Sequence, residues 1–148
     1  MGWLLLIVAL GIGVFLPLQA GINAELRLWL GHPLQAALIS FTVGTIALVV
    51  LNLGLRMPFG GDQPLGGAPW WVWLGGLLGA VYVSMTIVLA PRLGAAAMLG
   101  AVMTGQLVGS LLLDHYGVVG YPVRPISIER LGGAVLLLAG VLMIQRGS

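Results

Sequence analysis

Five apolar segments separated by short polar loops make up most of this chain. Each is about as long as a membrane-spanning helix, which needs roughly 18 or more apolar residues. Hydrophobic residues make up 59% of the sequence and charged residues only 7%, which is far from the composition of a soluble domain. We therefore predict an all-α integral membrane protein with one domain over residues 1–148, and helices at about 3–30, 34–55, 70–90, 92–113 and 128–144.

The first apolar segment is longer than a bilayer requires. A helix over residues 3–30 would be about 42 Å long, against a hydrocarbon core of about 30 Å. It must tilt, protrude or break, and Pro17 near its middle removes one backbone hydrogen bond. The segment lacks a basic start, and Leu18 stands where a small residue would precede a cut after Ala20, so we expect no signal-peptide cleavage.

The arginines are divided evenly between the two sides of the membrane, and the chain has no lysine. Successive loops of a five-span chain alternate sides. Arg56, Arg124 and Arg130 lie on the side of the N-terminus. The other three lie on the opposite side: Arg27, Arg92 and Arg146. Orientation is normally set by an excess of Lys and Arg in cytoplasmic loops. The tie predicts insertion in both orientations and an antiparallel homodimer, which would supply the inverted repeat common in transporters.

The charged and metal-binding residue types exclude several classes of function. The few charges are too scattered for nucleic-acid binding. There is no cysteine, and His32 and His115 have no further ligands at metal-binding spacing, so we expect no metal and no cofactor. No nucleophile motif, phosphate loop or pair of catalytic carboxylates is present, so we do not expect an enzyme.

Polar side chains within the apolar segments are the candidate substrate-binding residues. Gln19 and Asn23 are four residues apart on the first helix, and Gln106 and Ser110 are four apart on the fourth. Buried amides are costly unless satisfied, so these four predict a lined cavity with Tyr82 and Trp73 as aromatic walls. The alternative is that they join helices by hydrogen bonds, which contribute only about 0.6 kcal/mol each on average. For single hydroxyls we expect bonding back to their own helix: Ser40, Thr42, Thr45, Ser84, Thr86 and Thr104.

Four charged residues are candidates for coupling or ion pairing. Asp114 continues the row of Gln106 and Ser110, and Glu25 is a second candidate for proton exchange. In an inverted dimer, Arg27 of one chain would lie on the same side as Asp114 of the other, while Glu25 would lie on the side of Arg92. The alternative is that Arg27 and Asp114 only reach towards the interface.

A stripe of small residues runs along the fourth helix, with members every four residues: Ala97, Ala101, Gly105 and Gly109. Such stripes let helices approach closely. Packing within the chain and packing against a second chain both remain open.

Several stretches resemble a known family: LQAGINA at 18–24, FTVGT at 41–45, GGLLGAVY at 75–82, APRLG at 90–94, GQLVGS at 105–110 and LDHYG at 113–117. Together they are similar to the bacterial inner-membrane family called domain of unknown function 606, or YdcZ-like, of the drug/metabolite transporter (DMT) superfamily. The resemblance implies a five-helix unit that occurs singly, in gene pairs or fused into ten-helix chains. Small multidrug exporters carry a glutamate where this chain has Gln19, so cationic-drug/proton antiport is not implied.

The sequence thus predicts a small-molecule transporter that works by alternating access as an inverted homodimer with a ten-helix, EamA-like bundle. Its expected partners are a second copy of itself, membrane lipid and a small organic solute, neutral or zwitterionic. The expected location is the bacterial inner membrane. The alternatives are a non-transporting subunit of a larger membrane complex and a passive channel.

Overall fold

The computed structural model describes residues 2–57 and 65–146, which are helical apart from short turns and loops. The α-helices are α1 (Gly2–Gly13), α2 (Phe15–Leu30), α3 (Pro33–Gly54), α4 (Leu74–Leu93), α5 (Ala95–Tyr116) and α6 (Ile128–Arg146). Two short 3-10 turns, Leu65–Gly67 and Trp70–Trp73, precede α4. Five stretches of the described chain are long and apolar enough to cross a membrane: Trp3–Leu30, Pro33–Gly54, Trp70–Leu93, Ala95–Tyr116 and Ile128–Arg146. The prediction of an all-α protein with five spans is confirmed.

The first span is interrupted, which is one of the three possibilities that its length left open. The interruption lies at Val14, where the backbone N–H bonds to the carbonyl of Gly11 at 3.3 Å in a tight turn. Proline disturbs the carbonyl four residues before it, and for Pro17 that residue is Gly13, the last residue of α1. The proline therefore acts on the turn that precedes it, and itself lies inside α2.

Both ends of α3 are set by local chemistry. The N–H of Leu34 donates to Nδ1 of His32 at 3.2 Å, which caps the helix, and Pro33 occupies the first helical position, where its missing N–H has no partner to lose. Ser127 caps α6, since its Oγ accepts from the N–H of Arg130 at 3.4 Å.

The turn between the third and fourth spans lies further along the chain than the sequence predicts. The fourth helix was expected to begin at Arg92, but Pro91 and Arg92 belong to the last turn of α4, and α5 begins at Ala95. The connecting residue is Gly94, with a φ of +76°. A proline near a helix end removes one hydrogen bond, whereas a change of chain direction needs the left-handed backbone that glycine adopts readily. The fourth and fifth helices also end later than predicted, at Tyr116 and Arg146.

The chain divides into two compact units, which are described separately. The α2–α4 unit is Leu18–Pro91, and the α5–α6 unit is Met1–Pro17 with Arg92–Ser148. The organisation of residues 1–148 as one domain stays a prediction.

The core of the α2–α4 unit is small and formed by α3 and α4. Ala36 and Ala37 of α3 are buried together with Val83 and Ile87 of α4, and the partly buried Leu26 and Tyr82 pack against them. The two alanines leave room for the larger side chains of α4. The contact continues at Gly79, where an added Cβ would lie 3.5 Å from Cζ of Phe41.

In the α5–α6 unit, two helices form an antiparallel hairpin. Gly100, early in α5, lies against Val141, late in α6, so closely that a Cβ on the glycine would be 2.7 Å from Cγ2 of the valine. At the other end, Asp114 of α5 is ion-paired with Arg130 of α6. The glycine permits close helix contact where no polar bond exists, and the ion pair fixes the end next to the loop.

Candidate functional site

A groove between α2 and α3 is lined by three polar side chains. Gln19 of α2 and Ser40 and Thr45 of α3 line it, together with Phe41, Gly44 and Leu48. Its volume is about 250 Å³. By contrast, the larger cleft of about 380 Å³ between α5 and α6 is lined by apolar residues alone, among them Met103 and Leu136.

The groove lies near the middle of the membrane-spanning part of both helices. Gln19 is eleven residues before the end of α2 at Leu30, and Gly44 is eleven residues after the start of α3 at Pro33. At a rise of about 1.5 Å per residue, both lie about 16 Å from the connection between the helices. Transporter binding sites commonly lie at this depth.

The residues of α3 that line the groove occupy one face of that helix. At about 100° per residue, the positions from Ser40 to Leu48 in the lining fall within an arc of about 140°. Gly44 lies inside this arc and has no side chain, and a Cβ added there would meet nothing within 4 Å. The groove therefore owes part of its space to this glycine.

The two hydroxyls of the groove differ in hydrogen bonding from four other hydroxyls of the spans. Four threonines and serines outside the groove bond to carbonyls of their own helix at 2.7–2.9 Å: Thr42 to Leu38, Ser84 to Ala80, Thr86 to Val83 and Thr104 to Gly100. The prediction of self-bonding is confirmed for these four. It is wrong for Ser40 and Thr45, whose hydroxyls have no hydrogen-bond partner among the described residues.

The amide of Gln19 has no hydrogen-bond partner either within the part of the chain that the structure describes. Its side chain is exposed along the groove. Three polar groups at membrane depth thus share one groove. A polar group without a hydrogen-bond partner is unfavourable in hydrocarbon, so these three are available to bond to another molecule.

Asn23 is the most deeply buried of the predicted site residues. Only 3% of it is exposed, and its Nδ2 has no hydrogen-bond partner in the described structure. It is seven residues before the end of α2, and Ser40 is seven after the start of α3, so the two lie at the same depth. A buried donor without a partner is unfavourable in a folded protein, and such groups call for an explanation.

Of the two predicted aromatic walls, the structure places neither in the groove lining. Tyr82 is half-buried and packs against the core of the α2–α4 unit. Trp73 is 63% exposed and belongs to the 3-10 turn Trp70–Trp73, together with Trp70 and Trp71. Three tryptophans at the start of a span suit an interfacial anchor. The aromatic ring in the groove is that of Phe41.

Gln106 and Ser110 lie in the α5–α6 unit, where both are exposed on α5. Neither side chain has a hydrogen-bond partner among the described residues. A cavity shared by these two residues with Gln19 and Asn23 stays a prediction.

The charged candidates differ in their surroundings. The side chain of Asp114 is 20% exposed and is paired with Arg130, whose side chain is 32% exposed. The guanidinium of Arg130 also donates through Nη1 to the carbonyl of Arg124 at 3.0 Å. The N–H of Arg124 in turn donates to the carbonyl of Asp114 at 2.7 Å. Asp114 thus holds the α5–α6 loop through both its side chain and its backbone.

The remaining charged candidates have no ion-pair partner within residues 2–57 and 65–146. Glu25 is exposed, Arg27 is half-buried near the end of α2, and Arg92 is exposed at the end of α4. The pairs of Arg27 with Asp114 and of Glu25 with Arg92 stay predictions, and the first of them would compete with Arg130 for the carboxylate.

The small-residue stripe of α5 is largely open. Ala97 is buried and Gly109 half-buried, but Ala101 and Gly105 are exposed, and a Cβ added at Gly105 or Gly109 would meet nothing within 4 Å. The close approach to α6 instead uses Gly100, one residue away from the stripe.

Sequence reasoning missed three features of these sites. Arg130 was placed only in the count of arginines, although a cation at the start of one helix and an acid at the end of the preceding helix are natural partners across a hairpin. Gly100 does not belong to the small-residue stripe of α5, which was the predicted packing surface. Phe41 appeared only within the FTVGT stretch, whose Phe41, Gly44 and Thr45 all line the groove.

Comparison with known proteins extends over nearly the whole chain. The family described as "Putative inner membrane exporter, YdcZ" matches residues 4–143. "Inner membrane protein YdcZ" of Escherichia coli (strain K12) is 30% identical over 115 residues, which are 78% of this chain and 76% of that protein. No solved structure matches the chain. With five spanning helices and a match of this extent, the chain belongs to the YdcZ family of multi-pass proteins of the bacterial inner membrane.

Proposed function

We propose that this protein exports a small organic solute by alternating access, as an inverted homodimer of the DMT type. The observation that carries the proposal is the groove at mid-depth, where Gln19, Ser40 and Thr45 present polar groups that bond to nothing else among the described residues. Hydrogen bonds between helices contribute only about 0.6 kcal/mol each on average, so helix packing alone is a weak reason to gather three such groups in one space. The description of the family as inner membrane exporters supports the direction of transport.

The interruption of the first span supports a transport role as well. The turn at Val14 is five residues, or about 8 Å along the helix axis, from Gln19. Interrupted helices next to midplane binding sites are a recurring feature of transporters, because irregular backbone is tolerated there beside a watery cavity.

The balance of arginines supports the inverted homodimer, and the observed spans leave it unchanged. On the N-terminal side of the membrane, Arg56 follows the second span and Arg124 lies in the loop before the fifth. Arg130 lies at the start of the fifth span, on the same side. The other three arginines end the first, third and fifth spans. Neither orientation is therefore favoured by positive charge.

The low burial of the spans also supports an assembly larger than one chain. At most 22% of the apolar part of any span is buried within the described chain. A second copy in the opposite orientation would cover part of these surfaces, and lipid would cover the rest.

Orientation and transport are tested on the same material. The chain contains no cysteine, so Tyr121→Cys introduces a single thiol at an exposed position in the loop between α5 and α6. We expect an impermeant maleimide added outside intact cells to label about half of the molecules, and labelling after permeabilisation to reach all of them. Labelling of none or all of the molecules from outside would contradict the inverted dimer.

Transport is measured on purified protein in proteoliposomes loaded with a mixture of small metabolites. We expect saturable, counterflow-competent loss of some solutes. Loss that does not saturate would indicate a channel. Absence of any flux, together with copurification of another membrane protein, would indicate the non-transporting subunit.

A further inference from the structure

We infer that the α2–α3 groove binds an uncharged solute rich in hydroxyl groups, of the size and chemistry of a five-carbon polyol. The inference rests on the proposed transport function and adds the class of substrate. It depends on three properties of the groove: its lack of charge, its hydrogen-bonding groups and its apolar side.

The groove offers no charge to balance a charged solute. None of its six lining residues is ionisable. The nearest charged residue on α2 in the described chain, Glu25, is six residues from Gln19 and about 240° round the helix, on a different face. A charged solute at mid-depth would lose its hydration without gaining a counter-ion, which strongly disfavours its binding.

The polar groups of the groove suit partners that both donate and accept. The amide of Gln19 supplies two N–H donors and a carbonyl acceptor, and each hydroxyl of Ser40 and Thr45 supplies a donor and two acceptor lone pairs. Because none of them bonds to the rest of the described chain, all of this capacity is free. Solute hydroxyls match it group by group, since each of them also donates one bond and accepts others.

The remaining lining sets the size and one face of the solute. The volume of about 250 Å³ lies below the range of about 300–1,000 Å³ that is usual for pockets that bind drug-sized molecules, so the groove suits a smaller solute. Phe41 and Leu48 give the groove an apolar side. The C–H face of a folded polyol fits against such a side, while its hydroxyls point to Gln19, Ser40 and Thr45.

The test is binding to the purified full-length protein, measured from ligand-dependent thermal stabilisation. The probes are xylitol, the anion xylonate, and choline as a cation of similar size. We expect xylitol to bind at least tenfold more tightly than xylonate or choline.

Two variants identify the groove as the binding site. In Ser40→Ala/Thr45→Val we expect xylitol affinity to fall at least tenfold, and the variant should fold normally because neither hydroxyl bonds to the described protein. Thr42→Val is the matched control, since Thr42 lies on the same helix, outside the groove, and bonds to its own backbone. Its affinity for xylitol should stay within twofold of wild type.

The inference is overturned if xylitol does not stabilise the protein, if xylonate or choline binds as well, or if Thr42→Val loses as much affinity as the double variant. Its failure is separable from that of the transport proposal. Flux of a charged solute without xylitol binding would leave transport intact and remove the polyol assignment. Xylitol binding without flux of any solute would support the polyol site and contradict the transport proposal.

Discussion

The carboxylate of Asp114, in the last turn of α5, is ion-paired with the guanidinium of Arg130, in the first turn of α6. The same guanidinium donates to the backbone carbonyl of Arg124, and the backbone N–H of Arg124 donates to the carbonyl of Asp114. The loop between the two helices is therefore closed by one side-chain pair that also organises the backbone. A residue predicted as a coupling candidate has a defined structural partner, and its role in coupling must be separated from this one.

The ion pair is expected to contribute to stability in a measurable way. Asp114→Asn and Arg130→Gln should each lower the free energy of unfolding by about 1–2 kcal/mol, with a coupling energy of about 1 kcal/mol in the double-mutant cycle, because the pair is partly buried. Unfolding in detergent provides the measurement. Arg124→Gln is the control, since only the backbone of Arg124 takes part. Strict additivity of the two substitutions would show that the pair is not stabilising.

The contact between α5 and α6 should tolerate no side chain at Gly100. A Cβ there would lie 2.7 Å from Cγ2 of the branched Val141, so Gly100→Ala should cost about 1–3 kcal/mol through overpacking. Gly105→Ala, on the same helix with open space around its Cβ position, should change stability by far less. Adding Val141→Ala to Gly100→Ala should restore part of the loss. Equal stability of the two alanine variants would rule out the close approach.

Two glycines of the loop after α5 should differ in their tolerance of alanine. Both have positive φ, +60° at Gly117 and +84° at Gly120, so alanine strains the backbone at either. At Gly117 its Cβ would also lie 2.5 Å from Cγ2 of Val123. Gly117→Ala should therefore lower the thermal midpoint by several degrees more than Gly120→Ala. An equal shift of the two midpoints would mean that the side chain of Val123 moves aside without lowering stability, which would contradict this prediction.

Filling the groove should impair transport without impairing the fold. Gly44→Leu places a side chain in the space beside Gln19 and Ser40, where a Cβ meets no neighbour. We expect at least a tenfold loss of solute flux in proteoliposomes with a near-normal unfolding midpoint. Gly21→Leu on α2 is the matched control, because Gly21 also has open space but does not line the groove. Loss of flux in both variants would dissociate transport from the groove.

Removing one arginine should break the balance of orientations in a direction that depends on its side. Arg56→Gln leaves fewer charges on the N-terminal side, and Arg146→Gln fewer on the other. At about 1 kcal/mol per basic residue near an anionic membrane surface, the ratio of the two orientations should move about fivefold, in opposite directions. Labelling of the Tyr121→Cys thiol from outside the cell reads out the ratio. A shift in the same direction for both variants would contradict orientation by charge.

The spans were predictable because their length and apolar composition fit membrane-crossing helices and no soluble fold. The contact faces were not predictable. Apolar residues and glycines cover most of the surface of α5, so hydropathy does not show that Gly100 rather than Gly105 meets α6. Composition also does not reveal which hydroxyls turn away from their own backbone. Thr42 and Thr45 are the same residue type on one helix, and the structure alone separates the self-bonded one from the free one.

The one-residue turn at Val14 has a consequence for the synthesis of this protein. The pieces on either side have 12 and 16 residues, or about 18 and 24 Å of helix, and neither reaches across the hydrocarbon by itself. The insertion machinery must therefore insert α1 and α2 together, as one membrane-spanning segment. A polypeptide deprived of α1 would make four full crossings instead of five and would bring both of its ends to the same compartment.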